Sequence, residues 1–238
     1  MRSIGIIQPG KIGDIIICLP IAKWYADKGY IVYWPIDKNI IYNFIGYVDY
    51  VNFIPIDFNC AEAYQVCRDV NCSTIIDLAF CIPQANTLNT ANYTKQDMLS
   101  FDAYKYYLAD VPFSQKWTLD IKRNAVNEQK ILDTLPENSY FLVQDTSSDC
   151  KFAVNVEDNA CKRVDIDNRS ISVFDWLGAL QKADKLILIE SCFSNLVDQL
   201  GIQTKENILL LKHGYYGAKT IDGGLKGIPI LKLDWKKI

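Results

Sequence analysis

The sequence predicts an α/β protein made of two Rossmann-like layers with parallel sheets. Three observations carry this reading. Short apolar runs alternate with segments of helical apolar spacing. The alternation lapses once in mid-chain and then resumes. Half of the 238 residues are hydrophobic and 22% are charged, which is enough apolar material for one large or two compact domains.

In order along the chain, Ser3 to Gln8 reads as a strand, Pro9 to Gly13 as a tight turn, and Ile15, Ile16, Leu19, Ala22 and Trp24 as one face of a helix. Gly29 closes that helix, and Pro20 inside it removes a backbone donor, so a kink near Ile16 is expected. A second strand at Tyr30 to Trp34 ends at Pro35. A strand at Val51 to Ile54, a helix at Ala61 to Arg68 and a strand at Thr74 to Leu78 continue the pattern. The polar stretch Gln84 to Gln96 interrupts it, and an aromatic helix, Phe101 to Leu108, stops before Pro112.

The alternation resumes with a helix at Glu128 to Leu135 and a strand at Tyr140 to Gln144. Ser172 and Asp175 form a capping box before an apolar helical run. Leu186 to Ile189 is a buried strand ending at Glu190-Ser191. A helix from Ser194 to Leu200 is closed by Gly201, and a strand at Asn207 to Leu211 leads to the glycine-rich stretch His213 to Gly227. The expected domains are residues 1–124 and 125–238, joined near residues 124 to 138, with a ligand cleft between them at the C-terminal ends of the strands.

Composition removes several function classes. The net charge is -3, which disfavours a protein that coats nucleic acid through a broad basic surface. No apolar stretch approaches the roughly 20 residues of a membrane span, and polar residues from Gln8 to Asp14 interrupt any secretory pattern, so a cytoplasmic protein without integral membrane association is expected. The eight cysteines contain no CxxC pair and read as reduced thiols. Cys60, Cys67, Cys72 and Cys81 match no common zinc spacing, and His213 is the sole histidine, so no metal site is expected. No G-x-S-x-G elbow offers a nucleophilic serine, and no P-loop is present.

The first loop, Gln8-Pro9-Gly10-Lys11-Ile12-Gly13-Asp14, carries the most chemistry. Gly10 and Gly13 allow a sharp turn, and Asp14 stands at the start of a helix, where a carboxylate serves equally as helix cap or as general base. A dinucleotide site is the competing reading, with Asp37 as the ribose-binding acid. However, the third glycine of G-x-G-x-x-G is missing, and Asp14 would set a negative charge against a pyrophosphate.

Residues 4–20, I-G-I-I-Q-P-G-K-I-G-D-I-I-I-C-L-P, resemble the first strand, glycine loop and proline-bearing helix of GT-B glycosyltransferases of the heptosyltransferase type, glycosyltransferase family nine. Ser170 to Gly201 resembles that family's second signature, with its helix, A-D turn, strand, acidic-Ser pair and helix ending in Leu-Gly. The resemblance implies a GT-B-like fold, with an acceptor-side N-terminal domain and a C-terminal domain that holds a nucleotide-sugar donor as substrate, without a cofactor. It implies Asp14 as the base that deprotonates the acceptor hydroxyl, Glu190 and Ser191 on the donor's nucleotide and phosphates, and Lys151 on its phosphate or leaving group. Beside these, Gly13 is expected on the donor side, and Lys11 and Tyr104 on the acceptor side. The expected acceptors are a glycan, a lipid-linked saccharide or a modified nucleobase. Three departures stand out: the chain is short for the family, the acidic-Ser-Gly triplet reads Glu190-Ser191-Cys192, and Asn195 replaces an expected histidine.

Charge distribution adds an independent observation. Residues 201–238 hold seven lysines and three acids, so the remaining 18 basic and 25 acidic residues lie in residues 1–200. A basic C-terminal segment with His213 and Lys219 among glycines suits a diphosphate, and suits a solvated lysine face equally. Tyr104, Tyr106 and Tyr107 either stack on a sugar or pack a core. Besides an inverting, metal-independent glycosyltransferase, two alternatives remain open at this point: a degenerate module that binds a nucleotide or glycan without turnover, and another nucleotide-linked enzyme, such as an epimerase or an NAD oxidoreductase.

Overall fold

The structure is a computed structural model that describes residues 2–79, 100–148, 150–154, 161–167, 172–212 and 229–238, and the backbone alone at 218–219 and 225–226. The chain divides into two compact units. Unit 1 is Met1–Lys122 with Ala218–Ile230, and unit 2 is Arg123–Gly217 with Leu231–Ile238. The sequence reading assigned the whole C-terminal segment to the second domain; instead the chain returns to unit 1 before it ends.

Unit 1 is built on β1 (Ser3–Ile7), α1 (Ile12–Asp27), β2 (Ile31–Asp37), β3 (Asn52–Ile56), α2 (Cys60–Asp69), β4 (Thr74–Asp77) and α3 (Phe101–Leu108). Its four strands are all parallel in the order β3-β2-β1-β4. Parallel pairing sends every strand-to-helix loop to one edge of the sheet, which is where ligands are taken in this architecture. The central strand β1 is apolar and buried along its whole length, as a strand covered on both faces must be.

Strand β2 does not end at Pro35, and Pro20 stands inside the first helix as expected. Strand β2 runs two residues past Pro35. Ile31 donates to Arg2 and Asp37 to Pro9, so Pro35, on the same side of the strand, faces β1 without a donor, and the β1 register stops at Tyr33. Pro20 lies within a continuous α1. Proline contributes no N–H to the helix there, and the buried Tyr106 hydroxyl donates to the carbonyl of Ile17 at 2.8 Å, which ties α1 to α3 in the turn before the proline.

Unit 2 contains α4 (Ala125–Leu132), β5 (Tyr140–Gln144), β6 (Lys162–Asp165), α5 (Leu177–Lys182), β7 (Lys185–Ile189), α6 (Cys192–Leu200) and β8 (Glu206–Leu210). With β11 (Lys236–Lys237) these strands form a parallel sheet in the order β11-β8-β7-β5-β6. The short strands β9 (Ala218–Lys219) and β10 (Leu225–Lys226) pair antiparallel. The core of this sheet is Phe141, Val143, Ile187, Ile189, Ile208 and Leu210. Helix α4 begins three residues before the expected start because Asn124 caps it, accepting from the Asn127 amide. The Ser172–Asp175 box forms as read, over a 3-10 turn that runs into α5.

Two fully buried aspartates hold the C-terminal segment, each within its own unit. In unit 1, Asp102 pairs with buried Lys116 at 2.6 Å and accepts from the Ile230 amide at 3.0 Å. In unit 2, Asp198 accepts from the amides of Lys232 and Leu233 and from the indole of Trp235. Buried carboxylates persist only when their lone pairs are filled in this way.

The cysteines depart from the all-thiol expectation. Cys60 is disulfide-bonded. Cys18, Cys67, Cys72, Cys150, Cys161 and Cys192 are free, and burial pushes the Cys18 and Cys67 thiols up to about 12. No helix among the described residues is long and apolar enough to cross a membrane.

Replacing Asp198 by alanine strands three donors in the interior at about 1–3 kcal/mol each before relaxation, so a net loss of about 3 kcal/mol is expected from urea unfolding. Asp198→Asn keeps one acceptor oxygen and should lose roughly half as much. Equal losses in the two variants would show that this carboxylate does not anchor the segment.

Candidate functional site

In unit 1 the candidate residues gather at the C-terminal edge of the sheet, in the loop between β1 and α1. Gln8 is buried. Its amide donates to the Gly10 carbonyl at 3.0 Å, and its backbone carbonyl accepts from the Trp34 indole at 3.1 Å. Its Oε1 accepts from the ammonium of Lys105 at 2.6 Å, and the same ammonium donates to the Leu78 carbonyl at 2.7 Å. Lys105 is only 1% exposed, so a buried charge on α3 ties together the ends of β1 and β4.

The loop held in this way is strained. Lys11 is exposed and has φ 61 and ψ 113, a region L residues avoid. It is the N-cap residue of α1, and its side chain makes no capping hydrogen bond. Asp14 therefore does not occupy the capping position. It lies in the first turn of α1, partly exposed, where the helix dipole favours the ionised carboxylate. Its charge reaches inward as well, since Asp14 and Asp102 oppose ionisation of the buried Cys18 thiol while Lys105 favours it.

Gly13 stands elsewhere than expected: it is the second residue of α1 and not part of the turn. The glycine the loop needs is Gly10, because a Cβ there would lie 1.9 Å from Cε2 of Phe58. Tyr104, read as an acceptor contact, is buried on α3 and stacks with Tyr107, with ring centroids 6.4 Å apart. It packs the fold, as aromatics at helical spacing commonly do.

In unit 2, Glu190 and Ser191 occupy the turn between β7 and α6. The Glu190 amide donates to Leu210, which continues the β7–β8 ladder to the edge. Ser191 is the N-cap residue of α6. Its amide donates to the Ser194 hydroxyl at 2.9 Å, and its own hydroxyl donates to Oε1 of Gln144, at the end of β5, at 2.5 Å. The first amides of α6 thus stand at a strand end beside a carboxylate and a serine, an arrangement suited to a phosphate and a ribose. Cys192 begins α6, and burial pushes its thiol up to about 11.

Lys151 is exposed and bridges antiparallel to Thr146 in the loop after β5, which returns toward the same edge. The polar gap Gln84–Gln96 and His213 lie outside the described residues, and Lys219 is described by its backbone alone, in β9.

The sequence reading missed Gln8 and Gln144 as structural centres of the two edges. A signal existed, since the first strand of each unit runs into a glutamine. Lys105 gave no signal, because a lysine in a helix is ordinarily solvated.

No protein-family model matches this chain. No curated protein sequence matches it either. Among solved structures, it is similar to a glycosyl transferase family 9 protein from Veillonella parvula DSM 2008, with TM-score 0.60 and 11% identity, covering 87% of this chain and 80% of that one. It is similar to the iron-containing dodecameric glycosyltransferase TibC from enterotoxigenic E. coli, with TM-score 0.52 and 10% identity over 88% of this chain and 59% of TibC. TibC in complex with ADP-D-beta-D-heptose gives TM-score 0.54 at 11% identity. At these identities the likeness is one of fold, and the chain has the GT-B-like α/β fold of family-nine and heptosyltransferase-type glycosyltransferases.

Proposed function

We propose that this chain is a glycosyltransferase that moves a sugar from a nucleotide-sugar donor to an acceptor hydroxyl. The observation that carries the reading is the placement of both signature segments at the C-terminal edges of two parallel sheets: Asp14 follows β1 in one unit, and Glu190-Ser191 follows β7 in the other. The fold is that of proteins described as glycosyltransferases, one of them in complex with ADP-D-beta-D-heptose, which supports a sugar nucleotide as donor.

The chemistry follows from the groups present. The acceptor oxygen attacks the anomeric carbon, the bond from that carbon to the diphosphate oxygen breaks with its electron pair, and Asp14 takes the hydroxyl proton. A single displacement of this kind inverts the anomeric centre. Negative charge builds on the departing nucleoside diphosphate, where the N-terminal amides of α6 and the ammonium of Lys151 offset it. His213 and Lys219 are assigned to the same diphosphate, with Glu190 and Ser191 on the nucleotide. Lys11 is assigned to the acceptor. No step requires a metal, and the sugar nucleotide is a substrate, so the proposal includes no cofactor. The acceptor is a glycan, a lipid-linked saccharide or a modified nucleobase, and the proposed compartment is the cytoplasm.

Asp14→Asn tests the base directly. The amide cannot accept a proton but preserves shape, so turnover should fall by about 10² to 10⁴-fold while donor affinity and stability hardly move. Full turnover in Asp14→Asn would remove Asp14 from the reaction. On the donor side, thermal-shift titration with UDP-, GDP-, ADP- and CMP-sugars identifies the nucleotide. Glu190→Ala and Ser191→Ala should then each weaken its binding by about 1–3 kcal/mol. Unchanged affinity in both variants would place the donor elsewhere, and donor binding without any product would make the chain a binding module.

A further inference from the structure

Helix α2 ends in a closure that sets two cysteines side by side. Val70 is its C-cap residue, and Asn71 follows with φ 54. The Asn71 amide donates to the Arg68 carbonyl at 2.8 Å and the Cys72 amide to the Cys67 carbonyl at 2.9 Å, which are the paired bonds of a Schellman motif. That motif brings the side chains of its first and last residues together, ordinarily as an apolar contact, and here both residues are cysteines. Strand β1 supplies the floor. A Cβ on Gly5 would lie 2.5 Å from Sγ of Cys67 and 3.2 Å from Sγ of Cys72, so both sulfurs rest against one glycine. The turn is tied to the same strand, since the Ser3 hydroxyl donates to the Asn71 carbonyl and the Ser73 amide to the Ser3 carbonyl.

The two thiols are unequal. Cys67 is fully buried, whereas Cys72 is half-buried. Burial raises the pKa of both, and the hydrogen bond between them keeps the proton on Cys67 and draws the Cys72 value back down. Cys72 is therefore the sulfur that a reagent from solution meets first, with Cys67 behind it. Cys60, which packs against the same cluster, is already disulfide-bonded and offers no thiol. We propose that Cys67 and Cys72 form a redox modification site, a dithiol that a low-molecular-weight disulfide such as glutathione disulfide converts to an intramolecular disulfide across the end of α2. The Cys72 thiolate attacks one sulfur of the reagent, whose S–S bond breaks, and one glutathione leaves with the electron pair and takes up a proton. The Cys67 sulfur, its proton passing to solvent, then attacks the Cys72 sulfur of the mixed disulfide, and the second glutathione leaves in the same way. Two protein thiols are oxidised and one glutathione disulfide is reduced to two thiols. This modification is independent of the glycosyl-transfer reading.

The test is peptide mapping of the full, folded chain after incubation with glutathione disulfide at about pH 8.5, near the ordinary thiol pKa. The chain is then alkylated in denaturant and digested without reductant. Cleavage after Glu62 and before Asp69 and Asp77 separates residues 63–68, which hold Cys67, from residues 69–76, which hold Cys72. The expected result is these two fragments joined in most of the chains and released by reductant. Cys67→Ser should instead retain glutathione on Cys72, because the resolving sulfur is gone, and Cys72→Ser should leave Cys67 unmodified until the chain is denatured. Wild-type fragments that are both alkylated, wild-type Cys72 that keeps its glutathione, or Cys72 joined to a cysteine other than Cys67 would each overturn the proposal. Glutathione on Cys67 in folded Cys72→Ser would overturn it too, by reversing the order of attack. The wild-type digest decides the pairing by itself, so a variant that does not fold leaves the proposal open to refutation.

Discussion

The ammonium of Lys105 is the interaction on which the candidate chemistry of unit 1 depends. Burying a charge costs several kcal/mol unless its donors are filled, and here the Gln8 side chain and the Leu78 carbonyl fill them, with the Phe101 ring 4.4 Å away. Leu78 follows β4, Gln8 follows β1, and Lys105 belongs to α3, so one group fixes the spacing of three elements. Gln8 in turn holds Gly10, whose missing side chain seats Phe58, and the next residue, Lys11, absorbs the backbone strain that starts α1. The position of Asp14 is thus the end of a chain of contacts that begins at a buried lysine far along the sequence. Strain at Lys11 persists because these contacts over-determine the loop.

Unit 2 solves the corresponding problem with neutral groups. Gln144 ends its first strand, as Gln8 follows the first strand of unit 1, but its Oε1 receives the Ser191 hydroxyl in place of an ammonium. In unit 1 a buried cation fixes the loop that precedes Asp14, whereas in unit 2 a neutral glutamine fixes the helix N-terminus that follows β7.

Much of this fold was legible in the sequence because parallel strands buried on both faces are continuous apolar runs, as β1, β5 and β7 are. Strand β6, Lys-Arg-Val-Asp, was not, because an edge strand paired only with β5 needs no apolar pattern. The start of α1 was placed three residues late because its first turn begins at Ile12, with Gly13 inside it, and glycine there reads as loop. Among the site residues, Asp14, Glu190 and Ser191 were visible because their chemistry is local: each stands where a strand gives way to a helix. Tyr104 was misread because helical spacing alone does not distinguish a packed ring from a presented one.

The two buried aspartates show why long-range closure escapes a sequence reading. Asp102 and Asp198 each lie in a helix, where an acidic residue ordinarily faces water, and the partners that justify their burial are backbone amides of Ile230, Lys232 and Leu233. Backbone donors leave no trace in residue identity, so neither carboxylate announces its role. Their consequence is nevertheless specific: the C-terminal segment is fastened first to unit 1 and then, after Ile230, to unit 2. Each unit therefore completes the hydrogen bonding of a buried carboxylate with backbone from far along the sequence, a contact that no local pattern of residues announces.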